Sequence, residues 1–126
     1  MADSLLHEAV RNNALWCDAV CRAHGRPGEF REGVCWLNRR ETPPFYPNVV
    51  TLTDAPEVSE EQTACVRSLA GSSELPGEWA VKDSYHALDL APLGFTVLFA
   101  GEWLYLPAGA SPPPGHTAGI RWERIE

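Results

Sequence analysis

Apolar residues recur at helical spacing in the first stretch of the chain, DSLLHEAVRNNALWCDAVCRAHG. Leu6, Val10, Trp16, Cys17, Val20, Cys21 and His24 form a stripe, with Glu8, Arg11, Asp18 and Arg22 mostly outside it, which predicts an amphipathic helix over 3–25. Asp3 or Ser4 is placed to cap its start, Gly25 to take the left-handed position at its end, and Pro27 to stop its continuation. Asn12 and Asn13 interrupt the pattern, because one of them must lie beside the apolar stripe and needs a hydrogen-bond partner there. The run GVCWL at 33–37 reads as a short strand or an extended loop, and NVVTLT at 48–53 as a strand. Pro43, Pro44 and Pro47 favour extended backbone before them and remove amide donors, so they suit the approach to that strand, with Phe45 and Tyr46 packing against the first helix.

A second helix is predicted over VSEEQTACVRSLAG. Ser59 and Gln62 have capping-box spacing, Glu60 and Glu61 favour the positive end of the helix dipole, Gly71 terminates it, and Val58, Cys65, Val66 and Leu69 make its apolar face. After the loop GSSELPG the period shortens to two in EWAVKD, and SYHALDL reads as a brief turn capped by Asp83 or Ser84. GFTVLFAGEWLYLP has the form of a hairpin turning at Ala100 and Gly101, apolar on both faces and therefore expected in the middle of a sheet. PAGASPPPGHTAG reads as a loop of polyproline character, and IRWERIE as a final strand. These elements predict a single domain over 1–126 of the α/β (α+β) class, with a central, mainly antiparallel sheet and two principal helices.

Composition narrows the function classes. With 126 residues, 44% hydrophobic, and five tryptophans, the chain has the material for one packed core. No apolar run approaches the roughly 20 residues that span a bilayer, and MADSLLHEAV has no signal-peptide pattern, so a cytoplasmic location and no membrane partner are expected. In that compartment Cys17, Cys21, Cys35 and Cys65 are expected as thiols. A net charge of −7 disfavours nucleic acid as a partner. The charge is uneven: residues 22–40 carry a local +3 and residues 41–102 a local −8. Such polarity steers a small anion to the arginines, holds two copies together, or forms only a solvated surface.

Two groups of residues are candidates for ligand binding. Arg39 and Arg40 offer guanidinium groups for an anion beside the aromatic rings of Trp36 and Tyr46; the alternative is that this stretch only leads into a strand and packs the core. Lys82, Asp83, Tyr85 and His86 form a dense polar cluster between two strands; the alternative there is a helix cap and a surface charge. Cys17, Cys21, His24 and Cys35 make a formal zinc set, but an i, i+4 cysteine pair is also what a buried helix face produces, and no metal is expected. Nothing in the spacing pairs a cysteine with His7, His24, His86 or His116 for thiol catalysis.

The combination NNALWCDAVCRAHG, RRETPPFYPNVVTL, VKDSYHALDL and GFTVLFAGEWLYLP resembles the N-terminal portion of a group of bacterial GNAT-like proteins, relatives of acyl-CoA-dependent N-acetyltransferases, over most of residues 10–106. The resemblance implies a helical start leading into antiparallel strands, with a later half supplying the acyl-CoA site; this chain ends about where that half begins. The superfamily's pyrophosphate loop, Q/R-x-x-G-x-G/A, has its nearest counterpart in Arg22-Ala-His-Gly25-Arg-Pro27, which ends in proline and lies at a helix end. The expectation is therefore a GNAT-like half without its own cofactor, which binds a small, possibly anionic, ligand or a partner subunit and forms a homodimer. The competing class is an enzyme, a divergent acyltransferase using acyl-CoA and completed by dimerisation or a separate subunit.

Overall fold

The computed structural model describes residues 2–72, 74–75 and 77–109. Helix α1 (Ala2–Ala23) is followed by β1 (Glu29–Arg31), β2 (Cys35–Leu37), β3 (Val49–Thr51), a 3-10 turn at Pro56–Val58, α2 (Ser59–Ala70), β4 (Val81–Lys82) and a second 3-10 turn at Ala91–Leu93. The four strands form one sheet in the order β1-β2-β3-β4, antiparallel between the first three and parallel between β3 and β4. The expected α+β architecture, a mainly antiparallel sheet with two principal helices, is what the chain adopts. β1 is an addition, since EFR has one partly buried apolar residue between two exposed charges.

The helices cover opposite faces of the sheet. Register aligns Phe30, Trp36, Val50 and Lys82 in one row across the four strands. Trp36 and Val50 pack with Val10, Ala14, Cys17 and Cys21 of α1, with Phe30 at the margin. Alternation sends Cys35, Leu37 and Val49 to the other face, against Cys65, Val66 and Leu69 of α2. β2 and β3 are buried throughout because they lie between two helices, which explains their unbroken apolar runs.

Asp18 fastens α1 to the sheet. Its Oδ1 accepts from the Trp36 indole at 3.0 Å and from the Gly28 amide at 3.0 Å, and its Oδ2 accepts from Arg22 Nε at 2.6 Å. Burial alone would raise this carboxyl, but hydrogen bonds from Arg22, Trp36 and Gly28 together bring it below the ordinary aspartate value. The α1 stripe therefore includes Asp18, which the sequence assigned mostly elsewhere, and excludes Trp16, which is 60% exposed, and His24. A charge joins an apolar face here because three donors converge on it. Asn13 is the discordant asparagine that found its partner, accepting from Lys82.

Helix ends differ in detail from expectation. α1 begins at Ala2, so Asp3 and Ser4 lie inside it, while Gly25 closes it in the left-handed region at φ 72° as foreseen. Ser59 and Gln62 make no capping box. Gln62 is buried and its Nε2 donates to the carbonyls of Val34 and Thr53, both at 3.0 Å, tying α2 to the start of β2 and the end of β3. Gly71 follows α2 at φ −88°, without the left-handed conformation.

The largest departure is GFTVLFAGEWLYLP. Its predicted hairpin is not formed: residues 95–107 carry no strand or helix. Phe95 packs edge-on against Trp79, with ring centroids 5.1 Å apart, and Trp103 is anchored near β4. A run apolar on both faces becomes a central strand only where chain lies on both sides, and both faces of β2 and β3 are already occupied by the two helices. EWAVKD likewise contributes only two residues to the sheet. The proposed last strand, IRWERIE, and most of the loop before it lie outside the described residues.

Candidate functional site

Four of the eight expected site residues lie at β4 and the turn after it. Lys82 ends the row of side chains facing α1, so its amine is directed under the helix. Its Nζ donates to Asn13 Oδ1 at 2.9 Å and lies 4.6 Å from the centre of the Trp103 ring. Burial pulls this amine below the ordinary lysine value, against an opposing influence from the Cys17 thiol. Among the described residues no carboxylate forms an ion pair with it. Lys82 is also the only lysine in the chain. That uniqueness is legible in the sequence; the Asn13 and Trp103 partners, 69 and 21 positions away, are not.

The neighbours of Lys82 shape the turn. Asp83 accepts from the amides of Ala87 at 3.1 Å and Leu88 at 2.9 Å, the capping role weighed for it. His86 is exposed and left-handed at φ 52°. The Tyr85 ring lies 5.3 Å from that of His7 on α1. Ser84 donates its amide to Thr51 Oγ1 at 2.8 Å, while its carbonyl accepts from Trp103 Nε1 at 2.9 Å. Trp103 is thus held by its indole N–H and by its ring face. Trp103 also lines an open groove of about 220 Å³ with Leu5, Leu6, Ala9, Leu104 and Tyr105.

The arginine segment is built differently. Trp36 is wholly buried and committed to Asp18. Arg39 pairs with Glu29 at 2.9 Å. Tyr46 packs against the α1 cluster, its hydroxyl accepting from Trp16 Nε1 at 3.2 Å. Arg40 is exposed and, with Arg26, Glu41 and Glu74, lines a second cleft of about 420 Å³ in which the charges balance. Of the four residues proposed there, Arg40 lines this cleft, while Trp36, Arg39 and Tyr46 are engaged with Asp18, Glu29 and Trp16. Phe45, expected against the first helix, instead stands fully exposed at φ 73°. The prolines do bring the chain into β3: Tyr46 N donates to Pro43 O, and Asn48 Nδ2 donates to the carbonyls of Asn38 and Arg40.

The sheet separates the formal zinc set. Cys17 and Cys21 lie in the α1 layer, Cys35 in the α2 layer beside Cys65, and His24 is exposed with Nδ1 on the Val20 carbonyl. Among the described residues no three His, Cys, Asp or Glu side chains gather for a metal ion. Burial pushes the thiols of Cys17, Cys21 and Cys35 upward, which opposes thiolate chemistry at neutral pH. In the string nearest to a pyrophosphate loop, the amides of His24, Gly25 and Arg26 are all spent on carbonyls at the end of α1. None of the described helices is long and apolar enough to cross a membrane. Comparison with protein families, with curated proteins and with solved structures found no match.

Proposed function

We propose that this chain is a binding domain, a GNAT-like half, that works by associating with a second copy of itself. One observation carries the reading: Val97, Leu98 and Phe99 are 81%, 81% and 84% exposed in a row. Three consecutive large apolar side chains in water are ordinarily covered by another surface. β4 supplies a recipient, because among the described residues it has a single neighbour in the sheet and so offers one edge to a further strand. Uneven charge along the sequence, +3 over 22–40 and −8 over 41–102, favours a mutually complementary pair. Symmetric dimers are the commonest way to satisfy such surfaces.

Sedimentation equilibrium at tens of micromolar, roughly the range where weak dimers are populated, provides the test. The wild-type chain should run as a dimer and Leu98→Lys or Phe99→Lys as monomers with unchanged melting. A monomeric wild type sinks the reading. Calorimetry with acetyl-CoA separates the two classes: heat of binding would replace it with the alternative, a divergent acyltransferase completed by association.

A further inference from the structure

Lys82 is a half-buried cation that no carboxylate among the described residues pairs with, in a chain of net charge −7. A desolvated ammonium without a counter-ion is unfavourable, and Asn13 and the Trp103 ring offset this only with a dipole and a quadrupole. Among the described residues, a negative charge is what the position lacks. The groove beside it lacks something else. Leu5, Leu6 and Ala9 present apolar surface to solvent, faced by Trp103, Leu104 and Tyr105.

The two features lie in line. Ala9, Asn13 and Cys17 follow at intervals of four along α1, so each stands slightly over one turn, about 6 Å, beyond the last on one face. The groove occupies the turns at Leu5 to Ala9, and the amine is held at the next turn by Asn13. Trp103 borders both.

We propose that this is a binding site for a small amphipathic monocarboxylate, its carboxylate on Lys82 and Asn13 and its hydrocarbon tail along α1 in the groove. The volume of about 220 Å³ falls below that of sites for drug-sized ligands and suits a short chain or a single ring. The carboxylate accepts the two ammonium hydrogens not used by Asn13, and donation from the Asn13 amide nitrogen adds a further contact. The lowered amine pKa fits this assignment, since a bound anion would restore the charged form. The proposal goes beyond the association described above and requires only one protomer.

Calorimetric titration with octanoate, butanoate and 1-octanol tests head and tail separately. Octanoate should bind the full chain at least tenfold more tightly than butanoate, because each buried methylene contributes about fourfold, and at least tenfold more tightly than octanol, which lacks the charge. Lys82→Met should lose that tenfold preference for octanoate over octanol, Lys82→Arg should retain most of it, and Ala9→Phe should block both by filling the groove. Leu98→Lys, which interrupts self-association, should bind octanoate as the wild type does. If Lys82→Met does not fold, the head and tail comparison on the wild type and Ala9→Phe still decides. Octanoate binding no tighter than octanol, unchanged affinity in Lys82→Met or Ala9→Phe, or no binding up to about 5 mM, a weak limit on the affinity scale, each overturns the proposal.

Discussion

Asp18 and Phe45 show how far a residue's role departs from its type. A carboxylate in an apolar layer is held there by Trp36, Gly28 and Arg22, while a phenylalanine in a proline-rich stretch reaches solvent with a backbone angle suited to glycine. Asp18→Asn should cost on the order of 2 kcal/mol, as expected for losing charge-assisted hydrogen bonds at a buried site. Because the folded carboxyl lies below its ordinary value, its stabilisation is complete above the unfolded pKa of about 3.9 and is lost as pH falls through the folded value. Urea melts at pH 7 and at a series of acidic pH values should therefore separate wild type from Asp18→Asn most at pH 7 and show the gap narrowing as pH falls below about 3.9. A methyl group at Gly28 would stand 2.5 Å from the buried Trp36 ring, so Gly28→Ala should destabilise by about 1–3 kcal/mol, the usual cost of overpacking. Phe45→Ala, by contrast, should stay within about 0.5 kcal/mol of wild type because the ring buries nothing. A melt that ranked Phe45→Ala beside Gly28→Ala would mean that the loop packs differently.

At the scale of elements, the informative residue is Gln62. As a capping residue it would tolerate glutamate, which accepts the same backbone N–H; as a buried donor to Val34 O and Thr53 O it does not. Gln62→Glu should cost at least about 2 kcal/mol, because two carbonyls lose their donor and a charge is buried beside them. Chemical denaturation of this one variant distinguishes the roles, and near-wild-type stability would restore the cap. The same contact explains why α2 sits where it does. A single amide bridges the two places where the chain enters and leaves the buried strands, so the helix is positioned by hydrogen bonds as well as by Cys65, Val66 and Leu69.

For the whole molecule, the α1 and α2 layers each hold two cysteines. All four are buried and should react slowly with a thiol reagent at pH 8 until denaturant opens the fold. Burial raises the Cys17, Cys21 and Cys35 thiols, so their contribution is complete below the unfolded thiol value of about 8.5 and declines as pH rises above it. Lys82 acts in the opposite sense, its desolvation being relieved as pH climbs through its lowered value toward about 10.4. Three thiols outweigh one amine, and the melting temperature should fall above pH 9. If it rose instead, the thiols would be less shielded than their burial implies.

The sequence by itself determined the two helices, the strand around VVT, the mainly antiparallel sheet and most of the apolar residues between them, with GVCWL open between strand and extended loop, because periodicity and turn chemistry are local and the same residues that define each period also fill the core. It also marked Lys82, Asp83, Tyr85 and His86 as a polar cluster between two strands. Tertiary structure decided what those groups do. Which face a strand residue takes follows from register, and register placed Lys82 in line with Trp36 under α1 while dividing Cys35 from Cys17 and Cys21. The hairpin expected at 95–106 failed for a related reason. Its residues have strand character, but a run apolar on both faces needs cover on both, and no local pattern records that the two helices already occupy the faces of β2 and β3.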